Sequence, residues 1–217
     1  MSRFFKTGKG EYGEGDIFLG ITVPKVREVA KKYSFITLPE VGLFIKSPFH
    51  EERLAALLVL VDKYRSFDKV QDELAKSKIV KFYLKNTKYI NNWDLVDLSV
   101  HYTVGDYLIK HDRKILEKLA RSKNLWERRI AIISTFAFIY VGEYEWTFKI
   151  TKMLMKDKED LIAKACGWML REVGKKVSKD RLEEFLKENF AQMPRTMLRY
   201  AIEHFPEEKR KYYLNLR

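Results

Sequence analysis

The chain has 217 residues, of which 46% are hydrophobic, and its 42 Lys and Arg against 30 Asp and Glu give a formal net charge of +12. This length and apolar content support a full hydrophobic core, either in one domain or in an array of repeats. A strongly basic chain is typical of proteins that bind a polyanion, most often nucleic acid. A generally solvated basic surface, or contact with a ribosome or a membrane surface, would give the same charge.

Several classes of site are disfavoured by what the sequence lacks. The single cysteine, Cys166, rules out an internal disulfide and a zinc site built on cysteines, and we interpret it as a small core residue. The four histidines have no metal-ligand spacing, so we expect neither a metal nor another cofactor. There is no apolar signal core and no run of about 20 apolar residues, so we expect a cytoplasmic protein without membrane contact.

The first stretch of the chain is rich in glycine. GKGEYGEGD contains a literal GxGxxG at Gly8, Gly10 and Gly13. A dinucleotide site would need a strand before this motif and a βαβ unit around it, and the sequence predicts neither. We therefore interpret residues 1–22 as a glycine-rich segment, either mobile or closely packed, that leads into the first helix.

From Pro24 onward the pattern predicts helix after helix, without a convincing alternating strand. Pro24 can open the first helix, and Asn91 or Asn92 can cap a helix that runs from Trp93 to about Lys110. The other predicted helices cover residues 38–46, 49–64, 67–87 in one or two pieces, 113–121, 125–140, 143–155, 159–175, 178–188 and 194–204, with a basic tail after Pro206.

A repeat underlies these helices. Similar helices that begin polar and become apolar start at residues 51, 93, 127, 161 and 195, which are intervals of 34 to 42 residues by subtraction. This period is close to that of HEAT-type helical pairs, which must stack to bury their apolar faces. We therefore predict an all-α fold, a C-shaped HEAT-like solenoid forming a single domain over 1–217. The residues at these helix starts would then either converge on a basic concave face or each be simply solvated. They are Arg53, Trp93, Asp97, Arg128, Arg129, Lys164 and Trp168.

The stretch NNWDLVD places an aromatic and an acid four residues apart, on one face of a helix. Asp94 sits where a carboxylate favours a helix N-terminus, so we assign it a structural role. Trp93 is either a core residue or part of a site. Asp97 lies one turn further in, and spacing alone favours an ion pair with Arg129 of the next helical pair.

Four stretches in the same order, FLGITVPKVREVAKK, NNWDLVD, NLWERRIAI and KACGWMLRE, resemble the AlkD family of bacterial DNA alkylation repair glycosylases. The resemblance runs from about Phe4 to the last helices. It implies an all-helical HEAT-like array that binds duplex DNA on a basic concave face. It also implies hydrolysis of the N-glycosidic bond of cationic N7- and N3-alkylated purines, in base-excision repair, without the base extrusion that glycosylases generally use.

The resemblance assigns roles to particular residues. The catalytic carboxylate falls on Asp97, and the two active-site tryptophans fall on Trp93 and Trp168. DNA contacts fall on Arg129 and Arg171, and the neighbouring Arg128 and Lys164 join them by position. The family places a Tyr from its first helix against the lesion, whereas this chain has RFFK there, which makes Phe4 the counterpart and Tyr12 a rival.

These assignments predict a monomeric, monofunctional alkylpurine DNA glycosylase whose partner is double-stranded DNA. A second hypothesis is a non-catalytic HEAT-like protein that binds branched or damaged DNA, since the charge, the repeats and the tryptophans would look the same. A third is a protein scaffold that does not bind DNA, which the net charge of +12 disfavours.

Overall fold

The computed structural model describes residues 5–216, and in that range the chain is helical. It contains no strand there, although Ile17 and Phe49 form an isolated parallel β-bridge. The all-α prediction is therefore confirmed. The chain divides into two compact units, Met1–Tyr107 and Leu108–Arg217. Within the described range, no helix is both long enough and apolar enough to cross a membrane.

The first unit is built around one long helix. Its elements are α1 (Val23–Lys32), α2 (Leu38–Phe44), α3 (His50–Lys69), α4 (Glu73–Lys85), a 3-10 turn (Thr87–Tyr89), α5 (Trp93–Asp97), a π-helical turn (His101–Gly105) and α6 (Asp106–Ile109). The helix α3 packs against α1, α2, α4, α5 and the π-helical turn. Leu54, Leu57 and Leu60 of this helix are fully buried and belong to the core of this unit.

The predicted helix from Trp93 to about Lys110 is not continuous. Asn92 caps its start by accepting the Trp93 N–H at 2.8 Å, but regular α-helix ends at Asp97. The Ser99 hydroxyl donates to the Leu95 carbonyl at 2.5 Å, and the Thr103 hydroxyl donates to the Ser99 carbonyl at 2.9 Å. Such hydroxyls compete with the backbone ladder, and here the helix widens into a π-helical turn shortly after Asp97.

The second unit is a succession of helices that pack on their neighbours. They are α7 (Lys114–Ala120), α8 (Leu125–Tyr140), α9 (Glu145–Leu154), α10 (Asp160–Lys176), α11 (Lys179–Asn189), α12 (Arg195–Ala201) and α13 (Glu207–Asn215). The helix α8 contacts α7, α9 and α10, and α10 contacts α9, α11 and α12. This arrangement is consistent with a helical solenoid. The tail after Pro206, predicted only as a basic extension, forms α13, with Pro206 at its N-cap.

Candidate active site

Trp93 and Asp97 lie at the two ends of α5 and line the same cavity of about 500 Å³ in the first unit. Both side chains are half-buried. The rest of the cavity wall is mainly apolar, with Phe18, Leu54 and Leu98 among its residues. The four-residue spacing therefore does place the aromatic and the carboxylate against one shared space. A charge in such surroundings interacts more strongly with a bound cation than it would in bulk water.

An aromatic wall closes one side of this cavity. The ring of Phe5 stacks on Trp93, with centroids 5.5 Å apart and an interplanar angle of 18°. Phe5 also stacks on Phe18 at 4.6 Å, and Phe18 stacks on the imidazole of His50 at 4.5 Å. We define the aromatic wall as these four rings. All of them line the cavity.

Among the described residues, an N-terminal aromatic ring packs on Trp93. Phe4, the assigned counterpart, lies outside the described residues. Tyr12, its rival, is half-buried in the glycine-rich segment. The ring that the structure stacks on Trp93 is that of Phe5, and sequence reasoning missed both Phe5 and Phe18. The sequence RFFK gives no signal that singles out Phe5 as a ring that packs on Trp93.

A buried cluster of charged and amide side chains lies behind the aromatic wall. The Asp16 side chain is only 3% exposed. Its carboxylate accepts hydrogen bonds from Arg53 Nη2 at 2.6 Å, Asn92 Nδ2 at 3.0 Å and Asn91 Nδ2 at 3.2 Å. It also lies 3.3 Å from His50 Nδ1. Asp16 therefore joins the glycine-rich segment to the start of α3 and to the residues that precede α5.

His50 extends this cluster to α5. Its Nε2 lies 2.8 Å from Asp94 Oδ2, and its side chain is 2% exposed. Burial disfavours the imidazolium, but the hydrogen bonds and charges of Asp16 and Asp94 outweigh it, so the pKa of His50 lies above its ordinary value. Burial likewise opposes ionisation of Asp16, but hydrogen bonds from His50 and Asn92 and the charge of Arg53 hold its pKa below the ordinary value.

Arg53 corrects one expectation from the sequence. The repeat pattern predicts it among the helix-start residues that share an accessible basic face, but it is only 5% exposed. Its Nη1 donates to the carbonyls of Ser47 and Pro48 at 2.8 and 3.1 Å, in addition to the ion pair with Asp16. A buried guanidinium must be paired, and through these partners Arg53 holds the start of α3 in place.

A second anchor for the glycine-rich segment lies next to His50. The Glu51 carboxylate accepts the backbone N–H groups of Leu19, Gly20 and Ile21 at 2.9, 2.9 and 3.2 Å. Hydrogen bonds to an ionised group are stronger than neutral ones. These three hydrogen bonds anchor residues 19–21 to the start of α3.

The π-helical turn places a neutral histidine beside Asp97. His101 is largely buried. Burial and the nearby charge of Arg65 lower the pKa of His101 to about 4, against the opposing effect of a hydrogen bond to the Asp97 backbone. At neutral pH this imidazole is therefore uncharged.

The second unit carries the other predicted tryptophan. Trp168 is half-buried on α10, and its ring lies 5.6 Å from that of Phe136. The preceding residue, Gly167, lies against α12, where an added Cβ would stand 2.5 Å from the Met197 carbonyl oxygen. Close helix packing thus sets the position of Trp168. Cys166, two residues before Trp168, is fully buried, as expected for a small core residue. This burial raises the pKa of its thiol.

The predicted DNA-binding cations of the second unit differ in how far their side chains are exposed to solvent. Lys164 has a 41% exposed side chain and pairs with Asp160 in its own helix at 2.7 Å. The Arg171 side chain is 20% exposed and pairs with Glu172 and Glu203. Arg128 forms an ion pair with Asp157, and Arg129, only 5% exposed, donates to the Leu161 carbonyl at 2.6 Å.

Comparison with known proteins identifies the family. A family model described as "DNA alkylation repair enzyme" matches residues 1–205. The chain belongs to the DNA alkylation repair enzyme family. Its structure is similar to that of an Enterococcus faecalis protein described as a predicted DNA alkylation repair enzyme, with 18% identity and a TM-score of 0.69. That similarity covers 95% of this chain and 93% of the other, and it shows a shared fold. The comparison with curated proteins returns no match.

Membership of the DNA alkylation repair enzyme family confirms the resemblance drawn from the four stretches. It gives the cavity at Trp93 and Asp97 a context. DNA carries negative charge, but a purine base alkylated on N7 or N3 carries a positive one. An aromatic face and a carboxylate on one apolar cavity are the groups that such a cation would meet favourably.

Proposed function

We propose that the chain is a monofunctional DNA glycosylase that hydrolyses the N-glycosidic bond of cationic N7- or N3-alkylated purines in duplex DNA, the first step of base-excision repair. The observation that supports this proposal is the shared cavity of Trp93 and Asp97 in a member of the DNA alkylation repair enzyme family. The net charge of +12 supports DNA as the partner.

The proposed chemistry needs few catalytic groups. An alkylated purine is already cationic and is a good leaving group, so no strong general acid is required. Cleavage develops positive charge on the sugar, which the Asp97 carboxylate would stabilise near C1′ while it orients a water molecule. The faces of Trp93 and Trp168 would stabilise the cationic sugar and base, by about 0.5–2 kcal/mol each.

Contacts to the phosphate backbone would hold the duplex without reading its sequence. We assign these to Lys164, Arg171, Arg128 and Arg129, with Phe4 as an aromatic contact from the N-terminus. All four cations already bind protein groups and would have to exchange them for phosphate. The Lys164 side chain is 41% exposed, against 20% for Arg171 and 15% for Arg128, so we expect Lys164 to contribute most to the affinity.

The decisive experiment is release of 7-methylguanine from methylated duplex DNA by the wild-type protein and by Asp97→Asn. Removing the carboxylate charge should lower the single-turnover rate by about 10²-fold or more, the scale seen when one electrostatic stabiliser of a transition state is removed, while DNA affinity is largely retained. Asp180→Asn, on an exposed aspartate of α11, is the matched control and should keep the wild-type rate. A wild-type protein that releases no alkylated purine would overturn the proposal.

One observation favours a second candidate function, non-catalytic binding of branched or damaged DNA. Phe5 covers one face of the Trp93 indole, so that face is not offered to a substrate in this arrangement. Binding should then be steeply salt-dependent and tighter for a four-way junction than for alkylated duplex. Parallel measurements of both affinities, at two salt concentrations, separate this candidate from the glycosylase.

A further inference from the structure

We propose that protonated His50 is a positioning residue that fastens the glycine-rich segment across Trp93, by bridging Asp16 of that segment to Asp94 of α5. The proposal rests on the proposed glycosylase function only where it predicts activity. The ordering of residues 5–22, which it explains, can be measured without any substrate.

The geometry around the imidazole requires two donors. His50 Nδ1 lies 3.3 Å from an Asp16 oxygen, and Nε2 lies 2.8 Å from an Asp94 oxygen. A neutral imidazole has only one N–H, so its other nitrogen would present a lone pair to a carboxylate. Only the imidazolium can donate to both groups. Because Asp16 and Asp94 belong to different elements, this double donation ties those elements together.

The charges in the cluster balance only when His50 is protonated. The groups that face it are Asp16 from the glycine-rich segment, Asp94 from α5 and, through Asp16, Arg53 from α3. Two carboxylates and two cations give a neutral buried cluster. Loss of the His50 proton would leave one uncompensated negative charge at side chains that are 2% to 6% exposed, which is costly in a low-dielectric interior. Glu51, next in the chain, is held by the backbone N–H groups of residues 19–21.

Fastening the segment has a direct consequence for the candidate active site. Phe5 and Phe18 belong to the glycine-rich segment and form half of the aromatic wall, with Phe5 stacked on Trp93. The segment also folds back tightly on itself. Gly13 donates to the Lys6 carbonyl at 3.1 Å, and a Cβ there would stand 2.4 Å from the Phe5 carbonyl oxygen. Release of Asp16 would therefore loosen the turn that seats Phe5.

The pH range of this effect follows from the two shifted groups. The pKa of His50 is raised, so its contribution is complete below the ordinary histidine value and is lost as the pH rises through its own higher pKa. The pKa of Asp16 is lowered, so its contribution is present above the ordinary aspartate value and is lost as the pH falls through its own lower pKa. Release of the segment is thus expected as the pH rises through a value above the ordinary histidine pKa.

The test combines an NMR titration of the His50 imidazole with hydrogen-exchange protection factors for residues 5–22, measured on the full chain across the same pH range. In the wild type, the protection factors should fall as the pH rises, with the same midpoint as the His50 titration. Asp94→Asn removes one of the two carboxylate partners of His50. The midpoint of the imidazole titration and the midpoint of the protection loss should therefore both move to lower pH, by about one unit or more. His111→Gln, on an exposed histidine, is the matched control and should leave both midpoints in place.

His50→Gln should leave residues 5–22 weakly protected and without a pH-dependent step across the range in which wild-type His50 titrates. If that variant does not fold, the wild-type and Asp94→Asn titrations still decide the question. If the cluster only stabilised the fold as a whole, both substitutions would lower the free energy of unfolding. The loss of protection in residues 5–22 would then not follow the His50 titration when Asp94→Asn shifts it. Protection that stays constant through the His50 titration, or a midpoint unmoved in Asp94→Asn, would overturn the proposal.

Activity supplies a further measurement that is separable from the first. If the protein releases alkylated purines, the alkaline limb of kcat should follow the protection midpoint in the wild type and shift with it in Asp94→Asn. If it releases none, the proposed glycosylase function fails, while the midpoints of protection and of imidazole titration still decide whether His50 fastens the segment.

Discussion

The ring of Phe5 lies nearly parallel to the indole of Trp93, although 88 positions separate them in the chain, by subtraction of their residue numbers. This contact is one link between the glycine-rich segment and the short helix that carries Trp93 and Asp97. It turns a segment with little apolar sequence of its own into one wall of the candidate active site.

Replacing Phe5 should therefore affect both stability and the site. Phe5→Leu removes its stacked pairs with Trp93 and Phe18, which we expect to lower the free energy of unfolding by about 0.5–1.5 kcal/mol per pair. Tryptophan fluorescence should change at the same time, because the surroundings of the Trp93 indole change. Phe35→Leu, at a residue that is 75% exposed, is the control. Equal effects of the two substitutions in urea unfolding would contradict the contact.

Trp168→Leu tests the part that the second unit plays in the proposed reaction. If the indole stabilises a cationic transition state, single-turnover base release should slow by about 2- to 30-fold, the rate equivalent of a cation–π interaction. Trp146→Leu changes another half-buried tryptophan of the same unit and should leave the rate unchanged. A rate for Trp168→Leu that matches this control would remove Trp168 from the reaction.

Gly167→Ala should destabilise the second unit. Its Cβ would stand 2.5 Å from both the Met197 carbonyl oxygen and the Tyr200 Cβ, so α10 and α12 would have to separate. Overpacking of this kind costs about 1–3 kcal/mol. Gly42→Ala is the contrasting control, because its Cβ would meet only the Phe82 ring at 3.6 Å and it lies within α2. There the better helix propensity of Ala should leave stability unchanged or raise it by up to about 1 kcal/mol. Thermal unfolding of both variants distinguishes the outcomes.

Lys164→Gln tests the proposed phosphate contacts. If Lys164 neutralises one phosphate of duplex DNA, its replacement should reduce the slope of log K against log salt by about 0.9. Fluorescence anisotropy with unmodified duplex at four salt concentrations measures this slope. Lys69→Gln, on an exposed lysine at the end of α3, should keep the wild-type slope or change it less. An unchanged slope in Lys164→Gln would place the DNA elsewhere.

Most helix positions are predictable from the sequence because they depend on local chemistry. The predicted segment 125–140 has the bounds of α8, because its apolar run begins after Asn124 and ends before Gly142. Asn92 is one of the two caps that the sequence proposes for α5. The break after Asp97 is not predictable, because it depends on whether the hydroxyls of Ser99 and Thr103 turn to the backbone or to other partners.

The sequence by itself determined the helical class, the family and the placement of Trp93 and Asp97 on one face, since periodicity and short motifs are local properties. Only the tertiary structure decided that Phe5 stacks on Trp93, that Arg53 is buried, and that His50 joins Asp16 to Asp94. His50 stands 34 residues from Asp16 and 44 from Asp94. Side chains so far apart meet only when the packing of α3 against its neighbours brings them together, and burial then determines which charges must pair.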